Sequence, residues 1–310
     1  MKKKLLLLLV LVYTSQLYSQ NEIDALRYSQ QNIFGTARFN SMGGSFGSLG
    51  GDFSTLSYNP AGIGLYQNSE LTFTPSLSMT EVNSSLNGNT FYNYQFGTNI
   101  NNFGFIATGV NKDDQWKRIN LGFGWNQLAN YDNQFFTITK NSHSSLAELI
   151  LEQAQGKTID NLDYWGAEPA FWSDLIDLEN NFVDTTTGWY AFDNGNYISN
   201  ANPNVEKTQS KQVNSVGGMG EYVFSLGTSY EEKVYFGVTI GVPTIRYSEN
   251  SNYTESDFAD TSQDLSSFFY EENLLAYGSG INLKIGAIIR VGENTKLGGA
   301  IHSPSYITME

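Results

Sequence analysis

The feature that most constrains this chain is period-two alternation of apolar and polar residues over unusually long stretches. In residues 70–79, Leu71, Phe73, Pro75, Leu77 and Met79 alternate with Glu70, Thr72, Thr74, Ser76 and Ser78. In 234–243, Val234, Phe236, Val238, Ile240 and Val242 alternate with Tyr235, Gly237, Thr239 and Gly241. In 275–291 the set Leu275, Tyr277, Ile281, Leu283, Ile285, Ala287, Ile289 and Val291 opposes Gly278, Gly280, Asn282, Lys284, Gly286 and Arg290. Successive side chains of a strand point to opposite faces, so each stretch reads as a strand with one apolar and one polar or small face.

Seven such segments can be drawn, at 69–81, 91–110, 117–139, 214–230, 234–248, 272–291 and 296–309. Most run well past the roughly 5–6 residues of an ordinary strand. The connections are moderate (82–90), short (NKDDQW), very long (140–213), very short (EEK), long (249–271) and very short (GENT). From the third onward long and short alternate, as outer-membrane barrels do with loops outside and tight turns inside. Composition agrees. Aromatics are 14% and charged residues 15% of the chain, whereas a soluble domain is roughly 25% charged. No helical core is visible to absorb those aromatics. The expected class is all-β: a transmembrane antiparallel β-barrel in the outer membrane of a Gram-negative bacterium, with residues 69–310 as its N-terminal part.

Residues 1–20 carry three lysines, a compact apolar run and then small and polar residues, the pattern of a secretory signal peptide. The run Leu5–Val12 is far short of the roughly 20 residues a spanning helix needs. The formal net charge is −14, and losing the signal lysines makes it more acidic, which argues against nucleic acid as a partner. There is no cysteine, so no disulfide or thiolate site exists. His143 and His302 lie far apart, and no His/Asp/Glu cluster has metal spacing. Asp193-Asn194-Gly195-Asn196 reads as a turn because a calcium loop's bidentate Glu is missing. Glu231-Glu232 falls in a tight turn, where both carboxylates are solvated. No nucleophile, base and orienting group can be assembled, so neither enzyme activity, cofactor nor metal is expected.

The long connection carries a capping box, Ser145-x-x-Glu148, followed by Leu146, Leu149, Ile150 and Ala154 at helical spacing. A second short helix is expected from Pro169, with Phe171, Leu175 and Leu178 on one face and Trp172 and Ile176 beside it. Two readings stand. The helices pack on each other, or Leu149, Phe171, Trp172, Leu175 and Ile176 form an outer apolar site that collects ligand at a pore mouth.

Ahead of the first strand lies GGDFSTLSYNPAGIG, residues 50–64. A phosphate loop would need a preceding strand and a lysine, and this run has neither. Residues 24–49 read as short helix and coil with apolar points at Leu26, Ile33, Phe34, Phe39, Met42, Phe46 and Leu49. A compact plug inside a barrel suits the run. Glycine permits tight turning and close approach to a wall, Pro60 fixes its own φ, and Asn59 can satisfy nearby backbone. Inward strand positions rich in Gly, Ser, Thr and Asn leave room for it.

The stretch 35–65 closely resembles the N-terminal hatch of the FadL/TodX family of outer-membrane transporters of hydrophobic compounds. The matching elements are the run through Met42-Gly43-Gly44, the Gly50-Gly51-Asp52 step and Tyr58-Asn59-Pro60-Ala61-Gly62. The late segment Gly298-Gly299-Ala300-Ile301-His302-Ser303-Pro304 also looks like a family strand. The resemblance implies a barrel of about 14 strands, plugged by a hatch at 21–68. It implies passive uptake of long-chain fatty acids or other hydrophobic small molecules by a monomer in outer-membrane lipid. Ligand would bind near the outer loops, pass to a site against the hatch and leave sideways through a gap in the wall. The residues expected to bind or gate it are Asn59, Pro60, Ala61, Phe34, Phe39, Met42, Phe46 and Phe53. Since about seven strands cannot close around such a hatch, the full protein is expected to be longer. A polar-solute porin and a surface receptor or adhesin are the alternatives on the same barrel.

Overall fold

The computed structural model describes residues 22–111, 115–179, 195–201, 205–259 and 265–310. The expected signal peptide, and Asp193 and Asn194 of the turn motif, lie outside the described residues. The chain forms a large antiparallel sheet curled into a half-barrel. In chain order the strands are β1 (Glu70–Leu86), β2 (Asn89–Val110), β3 (Trp116–Asn130), β4 (Asn133–Ser142), β5 (Ile176–Leu178), β6 (Tyr197–Ser199), β7 (Lys207–Tyr230), β8 (Val234–Ser256), β9 (Ser267–Arg290), β10 (Lys296–His302) and β11 (Tyr306–Met309). The wall runs β1-β2-β3-β7-β8-β9-β10, with β4 also on β7 and β11 also on β9.

Alternation decides the two faces. Phe236, Val238 and Ile240 are 45%, 40% and 47% exposed while Thr239 between them is 0% exposed. Phe103, Phe105, Leu121, Phe123, Phe224 and Leu226 share the outer face, where Phe123 and Phe224 stack across β3 and β7 with ring centroids 4.9 Å apart. Such an outward apolar surface, wide and continuous across strands, has no protein partner among the described residues. No described helix is long and apolar enough to cross a membrane. The sheet is compatible with an outer-membrane β protein.

The sheet departs from the sequence reading in its lengths and breaks. The connection expected at 82–90 is a two-residue turn, because Leu86 pairs with Asn89 and Asn87 and Gly88 both take positive φ, 50° and 82°. That is the Asn-Gly turn whose twist matches a hairpin. The segment expected at 117–139 is two strands, broken at Tyr131-Asp132, and 296–309 divides at Ser303–Ser305. β7, β8 and β9 reach 23 or 24 residues, far beyond the roughly 9–11 a tilted strand needs to cross a bilayer. The added lengths of β7 and β8 are largely polar on both faces, while that of β9 carries Phe268, Phe269 and Tyr270.

The helices are not part of this wall. Helix α1 (Glu22–Ser29) and α2 (Ala37–Ser41), followed by 3-10 turns at Phe53–Ser57 and Pro60–Leu65, lie N-terminal to β1. Between β4 and β7 come α3 (Leu146–Ala154) and α4 (Ala167–Trp172). The capping box forms: the Ser145 hydroxyl accepts from Ala147 N–H at 3.2 Å and Glu148 accepts from Ser145 N–H at 3.4 Å. The buried face of α3 is Ala147, Ile150 and Ala154, not Leu149. α4 begins at Ala167, before Pro169, and ends at Trp172, so Leu175 follows the helix and Ile176 and Leu178 belong to β5, which pairs with β6.

The face assignment is open to a direct test. In cells expressing the protein, a cysteine at position 238 is expected to react with a bilayer-soluble maleimide, and one at position 239 is expected to be protected. Equal labelling of Val238→Cys and Thr239→Cys would contradict the two faces.

Candidate functional site

The segment 32–66 packs on the concave face, and the wall is cut to receive it. Where its two 3-10 turns press on the sheet, the inward positions are glycines. A Cβ at Gly104 would come within 2.1 Å of the Phe53 ring, one at Gly227 within 2.1 Å of Ile63, and one at Gly237 within 2.1 Å of the Pro60 carbonyl oxygen. At Gly286 it would meet Asn59 Oδ1. No real Cβ tolerates such distances, so the segment occupies the space where wall side chains would otherwise stand, with its side chains at Gly104, Gly227 and Gly286 and with its backbone at Gly237.

Asparagines beside these glycines supply the polar contacts. Asn120 donates to the Ile63 and Tyr66 carbonyls at 2.6 and 3.2 Å, and Asn126 donates to the Ser57 hydroxyl at 2.9 Å. His302 Nε2 lies 2.7 Å from the Tyr58 carbonyl oxygen, and Lys296 donates to Leu49 C=O at 3.3 Å. Each buried backbone group that leaves water needs such a partner.

Inside the segment, Asp52 organises one corner. It accepts from Ser54 N–H at 3.0 Å and from the Thr36 hydroxyl at 2.6 Å, while Thr36 caps α2 by accepting from Phe39 N–H at 3.0 Å. Asn59, 2% exposed, caps the second 3-10 turn: it accepts from Ala61 N–H at 3.1 Å and donates to Gly47 C=O at 2.5 Å. Gly50 and Gly51 both take left-handed φ, 61° and 65°, which lets the chain double back so that Gly51 N–H reaches Gly62 C=O at 3.0 Å.

The expected binding or gating residues are therefore divided. Phe39 and Phe46 are buried, their rings 5.3 Å apart, with Tyr58 on the other side of Phe39 at 5.1 Å. Phe53 belongs to a separate buried group with Leu56, Ile63, Tyr66, Ile106 and Val223. Ala61 packs with Tyr235 and Ile288. Phe34 is half-buried and Met42 is exposed. Asn59, Pro60 and Ala61 are packed into the seam between segment and wall, and do not line the cavities described next.

Open space lies higher on the same face. A cavity of about 670 Å³ separates α1 from the wall, lined in part by Ala25, Tyr28, Leu128, Met219, Ile307 and Met309. It meets a break in the wall. β2 and β3 pair from Val110↔Arg118 only as far as Asn102↔Asn126; among the described residues, β2 beyond that point (89–101) pairs with β1 alone. Irregularities occur on both sides, at Thr74/Pro75 and at Gln127/Ala129. Above the break other elements bridge the two sides: Ser84 of β1 donates to Phe136 C=O of β4 at 2.6 Å, and Asn87 of the β1–β2 turn donates to Thr139 at 3.0 Å.

A window is thus framed at both ends. A groove of about 950 Å³ opens at it, lined by Leu77, Ile100, Phe103, Trp125 and Tyr222 among others. A smaller gap of about 280 Å³ follows, sharing Trp125 and Gln127 with the groove and Met219 with the inner cavity. The extra residue of the β3 irregularity, Leu128, gives its carbonyl to Asn32 N–H at 2.8 Å, so the N-terminal segment holds the window's inner edge. α1 closes over it: Tyr28 sits edge-on to Tyr131 and Tyr247 at 6.1 and 6.3 Å.

At the far end, the residues expected to form an outer site part ways. Phe171, Leu175 and Ile176 are buried in a core with Ala147, Ile150 and Tyr197, and Phe258 and Phe268 pack against it. Leu149 and Trp172 are exposed. Glu255, near the end of β8, anchors this unit by accepting from the Ser145 hydroxyl at 2.7 Å and from Leu146 N–H at 2.8 Å. Sequence reading missed Glu255, Leu128 and Met219. No local signal marks them, since each acts through a residue distant in sequence.

Among the described residues no group of His, Asp or Glu could hold a metal ion. No family model, curated protein or solved structure matches the chain.

Asn59→Leu is expected to cost about 1–3 kcal/mol locally, by leaving Ala61 N–H and Gly47 C=O unpaired and crowding Gly286. Limited proteolysis should then cut faster within 43–51 while the strand core keeps its heat resistance. Unchanged cutting would show that the cap does not hold the segment.

Proposed function

We propose that the chain forms the wall and plug of an outer-membrane conduit for hydrophobic small molecules, as its resemblance to the FadL/TodX transporters implies. The sheet is then part of a transmembrane barrel whose remaining circumference lies between the unpaired edges of β1 and β10. The segment 21–68 is the hatch. One observation carries the reading: the apolar-lined cavity against the N-terminal segment adjoins, at Met219, a window between β2 and β3 that faces the outer apolar surface.

Such an arrangement suits a ligand that is poorly soluble in water. A molecule resting between α1 and the wall could pass Met219 and Trp125 into lipid without crossing the seam of glycines and asparagines below. Met219 and Trp125 border open space and give way more readily than the seam, whose rings and side chains are wedged against wall glycines and tied by Asn120 and Asn126. The plug stays in place and the side route opens. The filled concave face favours this over an open aqueous pore. Passage down a concentration gradient requires neither a cofactor nor a catalytic group.

The compact unit between β4 and β7 is a cap over the outer mouth. Its core residues Phe171, Leu175 and Ile176 hold it together, which leaves exposed Leu149 and Trp172 as its candidates for first contact with ligand.

Met219→Trp fills the narrow point between cavity and window. Uptake of an apolar tracer such as toluene at limiting concentration is expected to fall roughly tenfold, with insertion and heat resistance retained. Phe236→Trp on the outer face serves as the control. If Met219→Trp inserts normally and takes up tracer at the wild-type rate, the route through the window is wrong.

A further inference from the structure

On the concave face the strands carry a charged layer between the α1 cavity and the seam. Going down β7, the inward side chains run Met219, Glu221, Val223 and Ser225 before Gly227. β9 runs Asn282, Lys284 and Gly286, and β8 runs Pro243, Gly241, Thr239 and Gly237. Met219, Pro243 and Asn282 line the cavity, while Gly227, Gly237 and Gly286 receive Ile63, Pro60 and Asn59 of the seam. Between them stand Glu221 and Lys284, 0% and 4% exposed, and the Ser225–Thr239 pair, whose hydroxyls lie 2.5 Å apart.

The wall is shaped for this layer. Glu221 and Lys284 form an ion pair, and Asn282 donates to Glu221 Oε1 at 2.9 Å. These partners sit on β7 and β9, with β8 between them. Glu221 reaches across because the intervening inward residue is Gly241, where a Cβ would come within 2.3 Å of Glu221 Oε1. Unlike Gly227, Gly237 and Gly286, this glycine makes room for a charge instead of for the N-terminal segment.

A buried ion pair resists being opened. Separating the two charges leaves each one desolvated and uncompensated, whereas sliding past Met219 needs only a change of rotamer. An apolar molecule in the cavity therefore meets a hard floor below and a soft wall at its side. Resting on the transport reading above, we propose that the Glu221–Lys284 pair is a barrier against axial descent, which keeps apolar ligand off the seam and turns it toward the window. The pair acts by position, since neither side chain lines the cavity itself.

The test maps where an apolar probe travels. The full chain in amphipol is photolysed with a trifluoromethyl phenyldiazirine, and adducts are located by mass spectrometry and normalised to those on outward Val238. In the wild type, adducts are expected on the cavity residues Leu128 and Met219, with residues 59–65 at background. Replacing both charges with methionine (Glu221→Met, Lys284→Met) removes the ion pair at similar volume. Labelling of 59–65 is then expected to rise roughly tenfold, with heat resistance retained. Wild-type labelling of 59–65 equal to that of Met219, or an unchanged map in the double variant, would overturn the barrier and leave the transport reading standing. The first of these results needs no variant, so it holds even if the double variant misfolds. A wild type with no adducts on Leu128 and Met219 would overturn both.

Discussion

Everything on the concave face depends on the N-terminal segment meeting bare wall backbone at glycines. Side chains normally keep a sheet and whatever lies on it about 10 Å apart. At Gly104, Gly227, Gly237 and Gly286 that spacing is abolished, and the turns at 53–57 and 60–65 rest directly on the strands. The contact is short-range and steric, so it fixes position far more sharply than an oily interface would. Hydrogen bonds from Asn120 and Asn126 then set the register of one surface on the other. With the segment located, the space above it has a floor, and α1 has a fixed place from which to cover Leu128 and Met219.

The window between β2 and β3 raises a problem of its own. A strand that loses its neighbour leaves a row of N–H and C=O groups without partners, and hydrocarbon offers none. Here polar groups beside the break take up part of what the ladder would have bound. Asn32 N–H takes the Leu128 carbonyl at 2.8 Å, and at the step from β3 to β4 Asp132 accepts from Gly217 N–H of β7 at 3.0 Å. The added residues at the irregularities of β2 and β3 turn the strand edges away from one another. A gap of this kind is a built feature of the wall, maintained by named contacts on each side.

Much of this architecture was legible from the residues. Period two located the halves of the strands that carry an exposed apolar face opposite a buried one, as Phe236, Val238 and Ile240 against Thr239 show. Where strands run beyond those halves both faces become polar, and alternation disappears, so the extensions to Leu86, from Lys207 and to Ser256 went unread. Asn87-Gly88 carried its own turn signal but was hidden inside a polar stretch. The break at Tyr131-Asp132 has no glycine or proline to announce it. Asn59, Pro60 and Ala61 stood out through their unusual local chemistry, whereas Leu128, Met219 and Asn282 are ordinary strand residues locally. Only the pairing of strands brings them to one cavity.

The seam has a consequence for how the molecule comes into being. Tyr58 reaches His302 and Leu49 reaches Lys296, contacts separated by 244 and 247 residues. The segment ahead of β1 therefore gains its seat only when β8, β9 and β10 exist, and closing so long a loop is slow. Until then its glycine-rich turns have no surface to lie on, and the inward glycines have nothing to cover them. Assembly cannot proceed simply from one terminus to the other. The residues around Leu49 and Tyr58 must wait, unfolded or escorted, for strand residues made 247 and 244 positions after them.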